Sequence, residues 1–314
     1  MKKISLFTPC YNEEANIYEL YKRVTEVMKQ LSQYTYEYIF IDNYSTDNTR
    51  TILRKIAAED KRVKVIFNIC NFGPNKSGAY GFFQTTGDVS ICFACDFQDP
   101  PEMIPDFIKK WEEGYKVVWG KKIGSGESRI MFSIRCIYYK ILKSIADTRQ
   151  YENVTGFGLY DKEVMDYLRD MNEKEPSLRN LVSELGYEVG LVEYYQPARK
   201  KGKSSYNILK YINAGLNMIV RTSTFPLRCA TIIGIVLAML SVGVGLFYFI
   251  KKVLFWNSFE IGIAPLIISF FFISAVQFIF IGVLGEYVAE VLNRLKKRPM
   301  VIEEERLNFD EYGE

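Results

Sequence analysis

Two long runs without a charged residue lie near the C-terminus and limit what this chain can fold into. The first, residues 229–250, contains 22 residues, and a helix of that length spans about 33 Å, enough to cross the hydrocarbon core of a bilayer. The second run, residues 261–285, is also uncharged. Core helices of soluble proteins rarely stay uncharged over such lengths, so the pattern predicts two transmembrane helices rather than two buried ones.

Basic residues beside these runs predict the orientation in the membrane. They flank the outer ends of the two runs at Arg221, Arg228, Arg294, Lys296, Lys297 and Arg298. The short connecting loop carries Lys251 and Lys252. Because the more basic segments remain on the cytoplasmic side, we predict a multi-pass protein of the inner (plasma) membrane with both termini cytoplasmic. The N-terminal apolar stretch is too short for a signal peptide.

Short β-rich runs alternate with helical patterns in the first half of the chain. The β-rich runs are residues 4–9, 38–42, 63–68, 89–94 and 116–120. After the first run, apolar residues recur at spacings of three and four from Ile17 to Leu31, as on a helix with one buried face. The alternation predicts an α/β domain with a mainly parallel sheet covered by helices. Ligands of such sheets bind beyond the carboxyl ends of the strands.

These patterns divide the chain into four segments. We predict a cytoplasmic α/β domain over residues 1–204, a juxtamembrane amphipathic region over 205–227, a two-helix transmembrane anchor over 228–290 and a cytoplasmic tail over 291–314. Residues 200–228 mix basic and apolar positions, which fits a helix on the membrane surface or an ordinary domain helix. The acidic tail from Pro299 onward is expected to be mobile.

Net charge, cysteine placement and small residues indicate which partners and metal sites the chain can have. The net charge of +3 gives no overall field that would attract nucleic acid. Six scattered cysteines fit reduced thiols, and the C-x-x-C pair of Cys92 and Cys95 is better explained by strand burial than by zinc, since the chain has no histidine. Small residues in the first apolar run would permit packing between copies in a homo-oligomer: Gly234, Ser241, Gly243 and Gly245.

Acidic residues follow two of the predicted strands. Asp42 ends the second strand, where a carboxylate can accept a hydrogen bond from a base or ribose, although the next residues also fit a polar turn that caps a helix. Asp96 and Asp99 follow the fourth strand, where their oxygens suit a Mg²⁺ or Mn²⁺ that also binds a diphosphate. Such a cation would stabilise the charge on a departing nucleotide diphosphate. Asp99 also fits the N-cap of a helix that begins at the following prolines.

The ordered set of motifs resembles a known enzyme family. The motifs are P-C-Y-N-E-E (9–14), I-D-N-Y-S-T-D-N-T (41–49), N-F-G (71–73), D-F-Q-D-P-P-E (96–102), P-L-R (226–228), G-V-L-G-E-Y (282–287) and K-R-P (297–299). Together they are similar to the family 2 polyprenyl-phosphate glycosyltransferases, which include bactoprenol glucosyltransferases and dolichol-phosphate mannosyltransferases. The resemblance covers nearly the whole chain. It implies a Rossmann-like GT-A fold and inverting transfer from a UDP- or GDP-linked sugar to a polyprenyl phosphate lipid at the inner leaflet.

The resemblance also implies roles for single residues. Those assigned to the nucleotide sugar are Pro9, Tyr11, Glu13, Asp42 and, beside the pocket, Lys76. Those assigned a catalytic role are Asp96, Gln98, Asp99 and Arg199. Asp96 would be the metal ligand, Gln98 would lie near the donor phosphates or sugar, and Arg199 would face donor or acceptor phosphate. Lys203 and Ser204 would face donor or acceptor phosphate. Arg129 and Arg135, which flank an apolar helix, could meet the lipid phosphate or face solvent.

The chain departs from the family pattern in three places. Ala94 stands where members usually have the first acid of Asp-x-Asp, Gly156 and Gly158 lie where many have an acid and an arginine, and Ser205 replaces a lysine. The two glycines could admit a ligand closely or mark a bent strand. A catalytically silent homologue, acting as a scaffold or lipid-sugar binding partner, is therefore the alternative. A phosphate acceptor with a second pKa of about 6 is already mostly dianionic at neutral pH, so it needs no catalytic base.

Overall fold

The computed structural model describes residues 1–125, 140, 144–146, 151–173, 176–197, 215, 219–220, 223–254, 263–295 and 298–309. The chain forms two compact units. The first consists of Met1–Lys143, Thr148–Tyr206 and Lys297–Glu314, and the second of Ser144–Asp147 and Asn207–Lys296.

Within its described residues, the first unit is built on an eight-stranded sheet. The strands are β1 (Lys3–Cys10), β2 (Thr35–Asp42), β3 (Val63–Asn68), β4 (Val89–Cys92), β5 (Val117–Ser125), β6 (Val154–Asp161), β7 (Val189–Gln196) and β8 (Glu303–Leu307). Their order is β7-β5-β6-β4-β1-β2-β3-β8. β1 pairs in parallel with β2 and β4, β2 with β3, and β5 with β7. β6 pairs antiparallel with β4 and β5, and β8 pairs antiparallel with β3. The predicted α/β fold with a mainly parallel sheet is confirmed, and the predicted β-rich runs correspond to β1–β5.

Helices cover both faces of this sheet. They are α1 (Ile17–Lys29), α2 (Thr49–Glu59), α3 (Pro74–Phe83), α4 (Ile104–Glu112), α5 (Lys162–Asp170) and α6 (Leu178–Leu185). One core cluster contains residues of α1, α2 and α4, and the other contains residues of α3, α5 and α6. Leu6 of β1 lies in the first cluster and Phe7 in the second. Coverage on both faces explains why the central strands are apolar at consecutive positions.

Glu303–Leu307 of the C-terminal tail form a strand, contrary to the expectation of a mobile segment. β8 pairs antiparallel with β3 and forms the edge of the sheet. Its charged side chains are held by residues far away in the sequence: the Arg54 Nη2 atom lies 2.6 Å from Glu305 Oε2, and Tyr80 donates to Glu303 at 2.7 Å. The acidic composition suggested mobility, but these ion pairs and hydrogen bonds, together with the β3 pairing, order the segment.

Among the described residues of the second unit are two long apolar helices, α7 (Phe225–Leu254) and α8 (Ile263–Leu295). Phe225–Tyr248 has a mean hydropathy of 2.4 and Phe272–Leu292 of 1.8, so both are long and apolar enough to cross a membrane. They correspond to the two predicted uncharged runs. The juxtamembrane region predicted at 205–227 lies mostly outside the described residues. Tyr287 on α8 donates to the Ser223 carbonyl at 2.7 Å, just before α7 begins.

Candidate active site

The parallel pairing of β1, β2 and β4 brings the chemically distinctive loops to one edge of the sheet. Cys10 and Asp42 are partners in the register of β1 and β2, and Phe7 is the partner of Cys92 on β4. Burial raises the pKa of the Cys10 thiol, and the nearby Asp42 and Cys95 raise it further. Cys10 therefore lies between the loop that follows β2 and the loop that follows β4.

Reciprocal hydrogen bonds join the loop after β1 to the loop after β2. The backbone nitrogen of Asn12 donates to the Ser45 hydroxyl at 2.8 Å, and Asn12 Oδ1 accepts from the Thr46 nitrogen at 2.8 Å. The Glu14 carboxylate accepts from the backbone nitrogen of Asn48 at 2.9 Å. Asn12 has a φ of +56°, a conformation that asparagine tolerates better than most residues. The motifs at 9–14 and 41–49 thus form one rigid platform.

Asp42 is completely buried at the base of this platform. Its Oδ2 atom accepts from the Ser45 backbone nitrogen at 3.1 Å and lies 3.5 Å from Arg50 Nε. Its Oδ1 atom is buried without a hydrogen-bond partner among the described residues. Burial raises the pKa of Asp42, and the Ser45 hydrogen bonds and the Arg50 charge only partly oppose that effect. A buried acceptor without a partner is costly unless a ligand supplies a donor.

The other residues predicted to contact the nucleotide sugar lie at or beside the same edge. Pro9 is near the end of β1, and the Tyr11 side chain that follows is 47% exposed. Glu13 accepts from the Asn16 amide at 2.6 Å, which fixes its carboxylate beside the start of α1. Lys76 lies in the first turn of α3 and is half-buried. Their roles as nucleotide-sugar contacts remain predictions.

An asparagine network that sequence reasoning missed holds the N-F-G loop. Asn43 Oδ1 accepts from the Phe72 backbone nitrogen at 3.0 Å and from Asn68 Nδ2 at 3.2 Å. Asn43 Nδ2 donates to Asn71 Oδ1 at 3.0 Å. Asn68 is fully buried at the end of β3 and also donates to the Ser77 hydroxyl at 3.0 Å. An asparagine that ends a mostly apolar strand was the available signal.

The loop after β4 carries Asp96, Gln98 and Asp99. Asp96 Oδ1 accepts from the Gln98 backbone nitrogen at 3.2 Å. Asp99 accepts from the Ala94 backbone nitrogen at 3.1 Å and from the Tyr194 hydroxyl at 3.2 Å. Burial raises the pKa of Asp99 to about 6, although the Lys122 charge opposes the shift. The 3-10 turn that follows has no side-chain cap, so the structure gives no support to the alternative of Asp99 as a helix cap.

The donor set at this loop fits a single-carboxylate contact to a divalent cation. Among the described residues, no group of three or more Cys, Asp or Glu side chains is arranged to hold a metal ion. Both oxygens of Asp99 accept hydrogen bonds from protein donors, and the resemblance assigns the metal to Asp96. A Mg²⁺ or Mn²⁺ held mainly by one carboxylate, waters and a diphosphate is common chemistry for these hard cations.

Five predicted site residues lie outside the described part of the chain: Arg129, Arg135, Arg199, Lys203 and Ser204. Their assignments stay predictions. Ser205, one of the departures from the family pattern, lies outside it as well.

The two glycines of β6 are required by the strand itself, Gly158 for packing and Gly156 for its backbone conformation. A Cβ atom on Gly158 would lie 2.0 Å from the Val118 carbonyl oxygen of the neighbouring strand β5. Gly156 has a φ of +92°, and its carbonyl accepts from the Tyr160 hydroxyl at 2.8 Å. Of the two explanations for these glycines, the geometry favours a distorted strand over close approach of a ligand.

Comparison with known proteins adds a consistent set of similarities. Residues 5–168 match the profile described as "Glycosyl transferase family 2". The chain is 34% identical over 301 residues to the "Prophage bactoprenol glucosyl transferase homolog" of Escherichia coli K12, covering 96% of this chain and 98% of the relative. It is 35% identical over 298 residues to the "Bactoprenol glucosyl transferase" of Shigella phage SfX, covering 95% and 97%.

Similarity to solved structures is weaker. The glucosyl-3-phosphoglycerate synthase of Mycobacterium tuberculosis, solved with Mn²⁺, UDP-glucose and phosphoglyceric acid, gives a TM-score of 0.47 at 16% identity, over 70% of this chain and 78% of that chain. Residues 1–349 of S. aureus TarS, solved with UDP-GlcNAc, give a TM-score of 0.44 at 21% identity, over 69% and 65%.

Proposed function

Because the chain belongs to glycosyl transferase family 2, and its α/β unit has the GT-A fold, we propose that it transfers a sugar from a UDP- or GDP-linked donor to polyprenyl phosphate with inversion at the anomeric carbon. One observation carries the proposal. The relatives named bactoprenol glucosyl transferases match 95% or more of this chain, so the match is not confined to the α/β unit and extends to the apolar helices.

The donor would bind at the platform formed by the motifs at 9–14 and 41–49. The Oδ1 atom of Asp42 is a buried acceptor without a partner in the described structure, which suits a hydrogen bond from the base or ribose of the donor. The exposed Tyr11 ring lies at the same edge and offers a face on which a base can stack. Pro9, Glu13 and Lys76 complete the proposed donor contacts.

The diphosphate would lie toward the loop after β4. In this proposal Asp96 holds a Mg²⁺ or Mn²⁺, which stabilises negative charge on the leaving nucleotide diphosphate. The Gln98 backbone nitrogen donates to Asp96, and we assign the Gln98 side chain to the donor phosphates or sugar. Asp99 stabilises the loop by accepting hydrogen bonds from the Ala94 backbone nitrogen and the Tyr194 hydroxyl.

The acceptor chemistry suits a phosphate rather than a hydroxyl. A phosphate monoester is mostly dianionic at neutral pH, its second pKa being about 6, so it can attack without losing a proton. The chain contains no histidine, and we assign no general base. The proposed task of Arg199, Lys203 and Ser204 is to bind phosphate and align it with the anomeric carbon. We assign Arg129 and Arg135 to binding of the lipid phosphate.

The two apolar helices would anchor the enzyme where its lipid acceptor resides. From the basic residues that flank them, we propose that both termini and the α/β unit face the cytoplasm at the inner membrane. The 1–204, 205–227, 228–290 and 291–314 divisions are proposed on the same basis, with the correction that residues of the last segment complete the sheet. Assembly into a homo-oligomer through the small residues of α7 is part of the proposal.

A silent homologue is the second candidate function, and Ala94 is the observation that favours it. The residue has no carboxylate where the family pattern has one. A scaffold or lipid-sugar binding partner would retain nucleotide binding at the Asp42 platform without transfer.

The decisive experiment measures transfer of radiolabel from UDP- and GDP-sugars into organic-extractable lipid. Purified full-length protein is given polyprenyl phosphate with Mg²⁺ or Mn²⁺, in parallel with Asp96→Asn and with Asp106→Asn, an exposed acid on α4 that serves as the matched control. We expect lipid-linked label that is lost in Asp96→Asn and in EDTA but kept in Asp106→Asn. Folded protein that binds nucleotide yet gives no lipid-linked label with any donor would contradict the proposal and favour the silent homologue.

A further inference from the structure

One arginine of α2, Arg50, contacts both the C-terminal strand β8 and Asp42 of the proposed donor site. Arg50 Nη2 lies 2.7 Å from Glu304 Oε2 on β8, and Arg50 Nε lies 3.5 Å from Asp42 Oδ2. The Arg50 guanidinium also lies over the Phe67 ring, 4.9 Å from its centroid. Arg50 is therefore held between two carboxylates and an aromatic face, and its side chain is only 18% exposed.

The hydrogen bonding of Arg50 is unequal between the two carboxylates. Its bond to Glu304 is short, whereas its Nε atom has no hydrogen-bond partner among the described residues and stays at ion-pair distance from Asp42. Asp42 Oδ1 is likewise buried and without a partner. The arginine thus supplies positive charge beside Asp42 without occupying the oxygen that a ligand would use.

Without its bond to Glu304, Arg50 would be expected to pair with Asp42 in a different geometry. A guanidinium binds a carboxylate best through two parallel N–H···O bonds. An Arg50 side chain released from β8 could turn this fork onto Asp42 and cover both of its oxygens. The Glu304 bond opposes that turn because it holds the Nη2 end of the guanidinium on β8.

From this arrangement we propose that Glu304 is a positioning residue for nucleotide binding: by holding Arg50, it keeps the Asp42 carboxylate open to a hydrogen-bond donor of a nucleoside diphosphate. The inference rests on the proposed function, in which Asp42 contacts the nucleotide. It gives β8, which follows the apolar helices in the chain, a role in the donor site in addition to its place at the edge of the sheet.

The neighbouring residue of β8 offers a matched control. Glu305 Oε2 lies 2.6 Å from Arg54 Nη2 on the same helix, and Arg54 also lies over Phe67, 4.5 Å from its centroid. Arg54 has no described contact with Asp42. Glu305→Gln therefore removes an equivalent ion pair between β8 and α2 and leaves the Arg50 geometry intact.

The test is calorimetric binding of UDP and of GDP to the full-length protein. For whichever nucleotide the wild type binds, we expect Glu304→Gln to raise the Kd about fivefold to tenfold, the scale of part of a hydrogen bond to a charged group, and Glu305→Gln to leave it unchanged. In an Arg50→Gln background, Glu304→Gln should have no further effect. A merely structural role for Glu304 predicts the same change in both backgrounds, and that result would overturn the inference.

The outcomes separate this inference from the function on which it rests. If the wild type binds neither nucleotide, the proposed donor site fails and the inference fails with it. If the wild type binds and Glu304→Gln matches Glu305→Gln, the inference alone fails. Should Glu304→Gln not fold, Glu304→Asp keeps the charge but is too short to reach Arg50, so the same rise in Kd supports the proposal and an unchanged Kd overturns it.

Discussion

Asp99 Oδ2 accepts a hydrogen bond of 3.1 Å from the backbone nitrogen of Ala94, the position at which the family pattern has an additional acid. This bond joins Ala94 to Asp99 across the loop after β4, and it needs no carboxylate at position 94. Because the bond uses the main chain of Ala94, the side chain at this position can change while the bond is retained.

Restoring the missing acid should strengthen metal activation. In Ala94→Asp, we expect the Mg²⁺ or Mn²⁺ concentration for half-maximal transfer to fall severalfold, since a second carboxylate adds a hard ligand beside Asp96. The measurement is a metal titration of label transfer into lipid. Ala94→Asn has the same size without the charge and should not show the full gain. An identical titration curve for Ala94→Asp and the wild type would mean that position 94 does not face the cation.

Replacing Asp42 should weaken nucleotide binding without lowering the stability of the fold. We expect Asp42→Asn to weaken UDP or GDP binding by about tenfold or more, the scale of a hydrogen bond to a charged group. At neutral pH it should melt at the same temperature or higher, because it removes a buried charge whose Oδ1 atom has no partner in the described structure.

The pH dependence of this stability difference has a definite sign. Burial raises the pKa of Asp42 in the folded protein, so its ionisation lowers stability as pH rises from the unfolded value of about 3.9 through the folded pKa. Any thermal advantage of Asp42→Asn should therefore shrink as pH is lowered toward 4, near that unfolded value. A melting difference independent of pH would contradict this explanation.

A buried ionic network at the other end of the strands should govern acid stability. Glu37 is 2% exposed and accepts hydrogen bonds from Ser5, Lys3 and Thr86, with Lys64 at 2.9 Å. Burial alone would raise its pKa, but these donors outweigh burial and lower the pKa of Glu37 to about 2.

Glu37→Gln should lose roughly 3 kcal/mol of unfolding free energy at pH 7, the value that corresponds to the pKa shift. Because the folded pKa is depressed, the wild-type advantage is present above the unfolded pKa of about 4.3 and disappears as pH falls toward 2. Urea unfolding at several pH values measures both. Glu26→Gln changes a glutamate whose side chain is 66% exposed and should have little effect. A constant loss across the whole pH range would point to packing rather than charge.

The sequence was sufficient to predict most of the fold and to single out carboxylates at the edge of the sheet, for a simple physical reason. Strands buried on both faces must be apolar at consecutive positions, and α1 must repeat its apolar residues at helical spacing to cover them. Asp42 and Asp99 stood out because each follows such a strand. These signals are local, so they are readable without knowledge of the fold.

The missed features depend on partners that are distant in the sequence. Tyr194 binds Asp99 across 95 positions, and Glu304 binds Arg50 across 254. The tail that contains β8 was expected to be mobile because it is acidic. Its order comes from pairing with β3 and from the basic residues of α2, which no local pattern reveals.

The closeness of β5 and β6 gives the sharpest prediction about stability. A Cβ atom on Gly158 would lie 2.0 Å from the Val118 carbonyl oxygen and 2.9 Å from the Trp119 Cα atom. Because both of these are backbone atoms, no side chain can move aside to relieve the clash. We expect Gly158→Ala to lose about 3 kcal/mol or more of stability, as overpacked sites do at the upper end of their range.

Gly156→Ala is the matched control on the same strand. Its nearest neighbour would be the Tyr160 hydroxyl at 3.5 Å, so its cost comes from a φ of +92° alone, for which we expect roughly 1 to 3 kcal/mol. Urea unfolding of the two variants measures the difference. If Gly158 existed to admit a ligand, Gly158→Ala would keep wild-type stability and lose only activity. Strand packing instead predicts that stability falls first, and that any folded fraction of Gly158→Ala still binds nucleotide at the Asp42 platform.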